Sequence, residues 1–184
     1  MKLVNNLEYN SVVILSFFFL SFIILLLKYL TKGKSNDLLF SSYRSSLLNP
    51  LTYTRLFTHV LGHSSWTHFM NNFLYILLIG PMVEEKYGSN NLIIMILITA
   101  GITGVFNFLF SNKKILGASG IAFMLIVLSS LVIIEGGKIP ITFILICVFY
   151  VINEVLSLLK KDNISHIGHL IGAILGFIFG FYVF

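Results

Sequence analysis

The chain has 184 residues, of which 57% are hydrophobic and only 10% charged, and its mean hydropathy is +0.95. No water-soluble domain of this size covers its surface with so few polar side chains, so the composition excludes a soluble globular protein and points to a polytopic membrane protein. The net charge of +5 and pI of 9.4 do not indicate a nucleic-acid binder. The basic residues stand at segment ends, where they anchor helices to phospholipid headgroups.

A helix needs about 20 apolar residues to cross a hydrocarbon core. In chain order, six segments meet that need with tilt and polar ends allowed: 11–30, 66–83, 91–110, 119–134, 139–159 and 165–184. The first follows Met1-Lys2 and contains an apolar run from Val12 to Leu27, too long for a signal-peptide core and without a small-residue cleavage site, so it reads as a retained span. The long connection, 31–65, is polar early and amphipathic later (Leu51, Tyr53, Leu56, Phe57, Val60, Leu61), which predicts that its second half folds at the membrane interface. The other links, 84–90, 111–118, 135–138 and 160–164, are short. Six short-linked spans predict one all-α bundle and a single domain over 1–184. The lone cysteine, Cys147, lies within the fifth segment and reads as a packing residue.

Even-numbered spans enter the membrane from the same face, so the polar residues at their starts must converge. These are His68 and Asn72 on the second span, Ser119 on the fourth, and His166 and His169 on the sixth. The odd-numbered spans offer chiefly Asn107, Asn153 and Glu154. Ser119 stands in Gly117-Ala118-Ser119-Gly120, where small neighbours admit close approach of a backbone and free N–H groups at a helix start can stabilise an oxyanion. A serine hydroxyl attacks only when a base takes its proton, and histidine is the usual base near neutral pH. Gly168, Gly172, Gly176 and Gly180 form a stripe against which a neighbouring helix can lie. At about 100° per residue His169 falls roughly 40° from the centre of that stripe and His166 about 100° away, which favours His169 as the base and leaves His166 as the alternative. His68 and Asn72, four apart, share a helix face and offer donors to the oxyanion.

Each feature also has a plainer explanation. Gly-Ala-Ser-Gly alone is a common helix-packing tetrad, and Asp162, one turn before His166, can simply pair with it. His59, His63, His68, His166 and His169 together invite a metal, but there is no H-E-x-x-H and no cysteine cluster, so neither metal nor cofactor is expected. Glu154 is the residue that favours a nonproteolytic membrane protein, a transporter or a client-binding scaffold, because buried acids often mark ion paths.

Several motifs in order resemble the rhomboid family of intramembrane serine proteases, over about residues 54–184. Arg55, Thr58, His63, Trp66, His68 and Asn72 follow its R-x-x-T-x-x-x-x-H-x-x-W-x-H-x-x-x-N pattern. Gly80, Pro81, Glu84 and Gly88 are similar to its G-P-x-x-E-x-x-x-G turn, Gly117 to Gly120 to its G-x-S-G, and His169, Gly172 and Gly176 to its H-x-x-G-x-x-x-G. The resemblance implies a six-transmembrane-helix rhomboid-like bundle and a serine endopeptidase that cuts transmembrane protein substrates in the lipid bilayer. Its site would be a Ser119–His169 dyad without a third carboxylate, with His68, Asn72 and the Ser119 N–H around the oxyanion. Phe123 stands where relatives place an aromatic ring beside the histidine, and the loop bearing Arg55 would shield the site laterally. Thr54 replaces a common tryptophan before Arg55, and Gly168 a common alanine before His169.

The resemblance also implies a multi-pass cell-membrane protein with cytoplasmic termini. Charge opposes this. The catalytic face carries Lys28, Lys32, Lys34, Arg44, Arg55, Lys113, Lys114, Lys160 and Lys161, the other face only Lys2, Lys86 and Lys138, and positive charge favours the cytoplasm. Substrate identity and oligomeric state have no signature in the chain.

Overall fold

The computed structural model describes residues 8–132, 141–142, 144–145, 148–149, 152 and 166–183. Their order is α1 (Val12–Leu30), α2 (Lys34–Leu38), α3 (Pro50–Thr58), a 3-10 turn (His59–Leu61), α4 (Trp66–Tyr87), α5 (Ser89–Phe110), α6 (Ser119–Leu131) and α7 (His166–Ile178), which runs on into a π-helical turn (Phe179–Val183). Among the described residues there is no strand, only an isolated antiparallel bridge between Ser42 and Ile115. Among the described residues two helices, α1 and α5, are long and apolar enough to cross a membrane, while α6 and residues His166–Phe181 form shorter apolar helices. Most of the fifth expected span, with Cys147, Asn153 and Glu154, lies outside the described residues, as does Asp162.

The second expected span is longer than the sequence indicates. The 22-residue α4 continues through Pro81 to Tyr87, and the 84–90 link shrinks to Gly88 alone. Proline removes one hydrogen bond from a helix but need not end it in a membrane protein, where neighbouring helices hold the segment. The chain turns instead at Gly88, whose φ of +81° suits glycine.

Glu84 fixes this end of the bundle. Its carboxylate accepts from the Ser11 hydroxyl, from the main-chain N–H groups of Val13 and Ile14, and from the Ser89 hydroxyl. Ser11 stands at the N-cap of α1 but does not cap it with its own side chain, so Glu84 satisfies that helix start from α4. Glu84→Ala would leave two buried N–H donors without partners, and a loss of about 3 kcal/mol is expected. Thermal unfolding in detergent should show it, with Glu84→Gln falling between the two. A wild-type melting curve for Glu84→Ala would contradict this role.

Glycines set the closest helix contacts. A methyl on Gly172 would meet the Gly120 carbonyl oxygen at 2.1 Å, and one on Gly176 would meet that of Met124 at 2.6 Å. Because Gly172 lies against Gly120 and Gly176 against Met124, α6 and α7 run parallel and in step, as expected of two spans entering from one face. The same device docks the interfacial loop: Gly104 of α5 lies against the Leu56 carbonyl, where a methyl would come within 2.2 Å. Helix α3 turns its polar side inward, with Thr52 and Arg55 buried, and Tyr53 and Phe57 outward. That polarity fits a helix lying in the interface with its aromatic side toward lipid.

Candidate active site

The site forms where the starts of α4, α6 and α7 meet. Gly117, with φ of +122°, carries the chain into α6, and its N–H donates to the His59 carbonyl at 2.9 Å, which fixes this turn to the loop. The His68 ring presses on it so closely that a methyl at Gly117 would lie 2.7 Å from both Cε1 and Nε2, and 3.4 Å from Asn72 Nδ2. Asn72 is buried, and its Nδ2 has no hydrogen-bond partner among the described residues. Ser119 is the first residue of α6, so its N–H has no acceptor within the helix. The expected donors, His68, Asn72 and the Ser119 N–H, are thus gathered around one turn.

His169 projects from α7 onto the same side of α6. Its ring packs on Phe123 with centroids 4.5 Å apart, and Phe123, one turn beyond Ser119, shares its helix face. Gly120 lies against both Gly168 and Gly172 of α7, so His169, between them in the chain, stands near the level of Ser119. His166 stands off the edge of the His169 ring, centroids 6.1 Å apart. Among the described residues Ser119 Oγ makes no hydrogen bond; in substrate-free enzymes such bonds commonly tighten only when substrate arrives.

A cavity of about 30 Å³ opens beside Ser119, bounded also by His59, Val60, Thr103, Ile115, Gly120 and Gly168. It has room for about one water. Thr103 Oγ1 and His59 Nε2, 3.3 Å apart, give it a polar wall. Thr103 is a site residue that the sequence reading passed over; the signal was a threonine pair, Thr99 and Thr103, four apart in an otherwise apolar span.

Arg55 lies outside the cavity wall. Its buried guanidinium donates to Tyr43 Oη at 2.8 Å and to Ser45 Oγ at 2.9 Å, and covers the Tyr43 ring. It therefore braces the loop, while Thr54, where a tryptophan is usual, points outward and bears no part of that bracing. Asn107 is likewise structural, donating to the carbonyls of Ser42 and Lys113. Among the described residues no three His, Cys, Asp or Glu side chains are grouped to hold a metal.

Two loop histidines are held neutral. Burial brings His59 down to about 4, against opposing main-chain hydrogen bonds. It brings His63 down to about 3, aided by His68 and opposed by the bond to the Leu61 carbonyl. Unfolded, both would take a proton below about pH 6.5. The folded protein therefore has its full stability above that pH and loses it as the pH falls toward 4. The unfolding midpoint in detergent should be level near neutral pH and decline steadily below about pH 6.5. A midpoint that rises on acidification would contradict the burial of these rings as neutral groups.

Helices of this length and apolarity are those of an integral membrane protein, and its serine at the start of α6 stands among N–H donors, with an imidazole on the neighbouring α7. Residues 50–184 match the family model of the Rhomboid domain, and the chain belongs to the rhomboid family. Its members are typically serine intramembrane proteases acting on transmembrane substrates, and some are inactive.

Proposed function

We propose that the protein is an intramembrane serine endopeptidase, a single-domain six-span bundle that cleaves peptide bonds in or near the transmembrane segments of other membrane proteins. The observation that carries this reading is the convergence of His68, Asn72 and the start of α6 on Gly117, with the His169 ring on Phe123 beside Ser119. Inactive relatives typically lack the serine or the histidine, and this chain keeps both.

In the proposed reaction His169 takes the Ser119 hydroxyl proton as Oγ bonds to the scissile carbonyl carbon. The carbonyl oxygen becomes an oxyanion between His68, Asn72 and the Ser119 N–H. Collapse breaks the C–N bond, and the leaving amine takes the proton back from His169. A water then attacks the acyl ester, giving its proton to His169, and His169 passes that proton to Oγ as the C–Oγ bond breaks, restoring the Ser119 hydroxyl and the neutral imidazole. The cavity beside Ser119 supports this last step, since it can hold that water within a polar wall. Gly120, Gly172 and Gly176 keep the two helices close enough for the dyad, and Gly117 leaves room for the His68 ring. No cofactor enters the scheme.

Incubation of the purified protein with a model transmembrane substrate tests the reading. A product cut within or next to the membrane segment, absent with Ser119→Ala, is expected; an intact substrate would overturn it. We place the protein in the cell membrane with both termini cytoplasmic, and a reporter fused at Phe184 should read out as cytoplasmic. An external reporter would reverse that placement and agree with the charge bias instead.

A further inference from the structure

The His68 ring faces Gly117 with Nε2 and Cε1 and turns Nδ1 toward Ser64, an exposed residue two positions before the start of α4. The Ser64 main-chain N–H points at Nδ1 from 3.5 Å, and the Ser64 hydroxyl lies 3.0 Å from it. A main-chain N–H can only donate, so Nδ1 is the accepting nitrogen of the ring. The hydroxyl then donates as well, and the proton of the neutral imidazole belongs on Nε2. The opposite tautomer would present a lone pair to the developing oxyanion and repel it.

Neighbouring groups do not compete for Nδ1. The Ser65 hydroxyl is engaged by the His68 main-chain N–H, which it caps. His63 meets His68 edge to face at 5.2 Å, with its own Nδ1 on the Leu61 carbonyl. Because a carbonyl only accepts, His63 Nδ1 carries that ring's proton.

We propose that Ser64 is a positioning residue acting through His68: it holds Nδ1 as an acceptor, so that Nε2–H is presented to the oxyanion formed at Ser119. This role rests on the protease reading above, and it adds a residue that neither the dyad nor the oxyanion donors include. Being exposed and outside the helices, Ser64 can be changed with little effect on the fold.

The test uses the full chain with nitrogen-15-labelled histidine in detergent micelles, as wild type, Ser64→Ala and Ser64→Thr. The His68 ring nitrogens are read by NMR, and cleavage of a model transmembrane substrate gives kcat and KM. Wild type and Ser64→Thr should carry the proton on Nε2, whereas Ser64→Ala, which loses the 3.0 Å hydroxyl and keeps only the long 3.5 Å main-chain N–H contact, should move toward a tautomer mixture. The alanine variant should lose about three- to tenfold in kcat, as for one hydrogen bond, with KM and unfolding midpoint unchanged. A wild-type ring protonated on Nδ1, a ring signal that does not respond to Ser64→Ala, or an equal kcat loss in Ser64→Thr would each overturn the proposal. If the wild type cleaves nothing while the ring nitrogens respond as expected, the protease reading fails and the Ser64–His68 coupling stands.

Discussion

Ser119→Ala is expected to lower cleavage of a transmembrane substrate by about 10⁴-fold or more, to background, with substrate binding and unfolding midpoint close to wild type. The magnitude follows from removing the atom that forms the acyl bond: the remaining donors can polarise a carbonyl but cannot divide the reaction into two easier steps. The fold should tolerate the change. Ser119 is half-exposed and bonds to no described side chain, and alanine suits a helix start packed among Gly117, Ala118 and Gly120. Single-turnover cleavage at saturating enzyme separates chemistry from binding. Residual activity within tenfold of wild type would remove Ser119 from the reaction.

The second large effect distinguishes two imidazoles one helical turn apart. His169→Ala should lose about 10³-fold or more, because an unactivated hydroxyl is a poor nucleophile. His166→Ala should lose less than about tenfold, since His166 meets His169 edge-on from the rim, whereas His169 packs on the ring that shares a face with Ser119. The reverse ranking would move the base to His166 and with it the register through which α7 serves the site. Equal, small losses from both would indicate that neither ring takes the proton.

Much of this arrangement is legible in the chain, for identifiable reasons. Four-residue glycine spacing on α7 specifies a flat face, and the structure puts Gly172 and Gly176 against the α6 backbone. Alternating span direction brings His68, Asn72 and Ser119 to one end, where they meet at Gly117. What periodicity could not supply is contact between segments distant in sequence. The Glu84 carboxylate caps a helix more than seventy residues earlier, and nothing in local spacing marks a glutamate as the cap of another helix. His59 and Thr103 build the cavity wall from a loop and an odd-numbered span, whose polar groups the alternation argument discounts. For α3 the amphipathic pattern was visible, but its orientation depends on what it packs against: Gly101 and Gly104 let it approach α5, and Thr52 and Arg55 turn inward. The stretch from Gly80 to Gly88 reads in the sequence as one turn closing a span that ends at residue 83, and only packing decides that the helix runs through Pro81 and turns at Gly88.

The most direct test of the central claim, an activated hydroxyl at residue 119, is labelling of the intact membrane protein with a fluorophosphonate, followed by peptide mapping. Wild-type protein should carry the label on Ser119, Ser119→Ala should carry none, and His169→Ala should react far more slowly. Equal labelling of wild type and Ser119→Ala, or undiminished labelling of His169→Ala, would contradict the account.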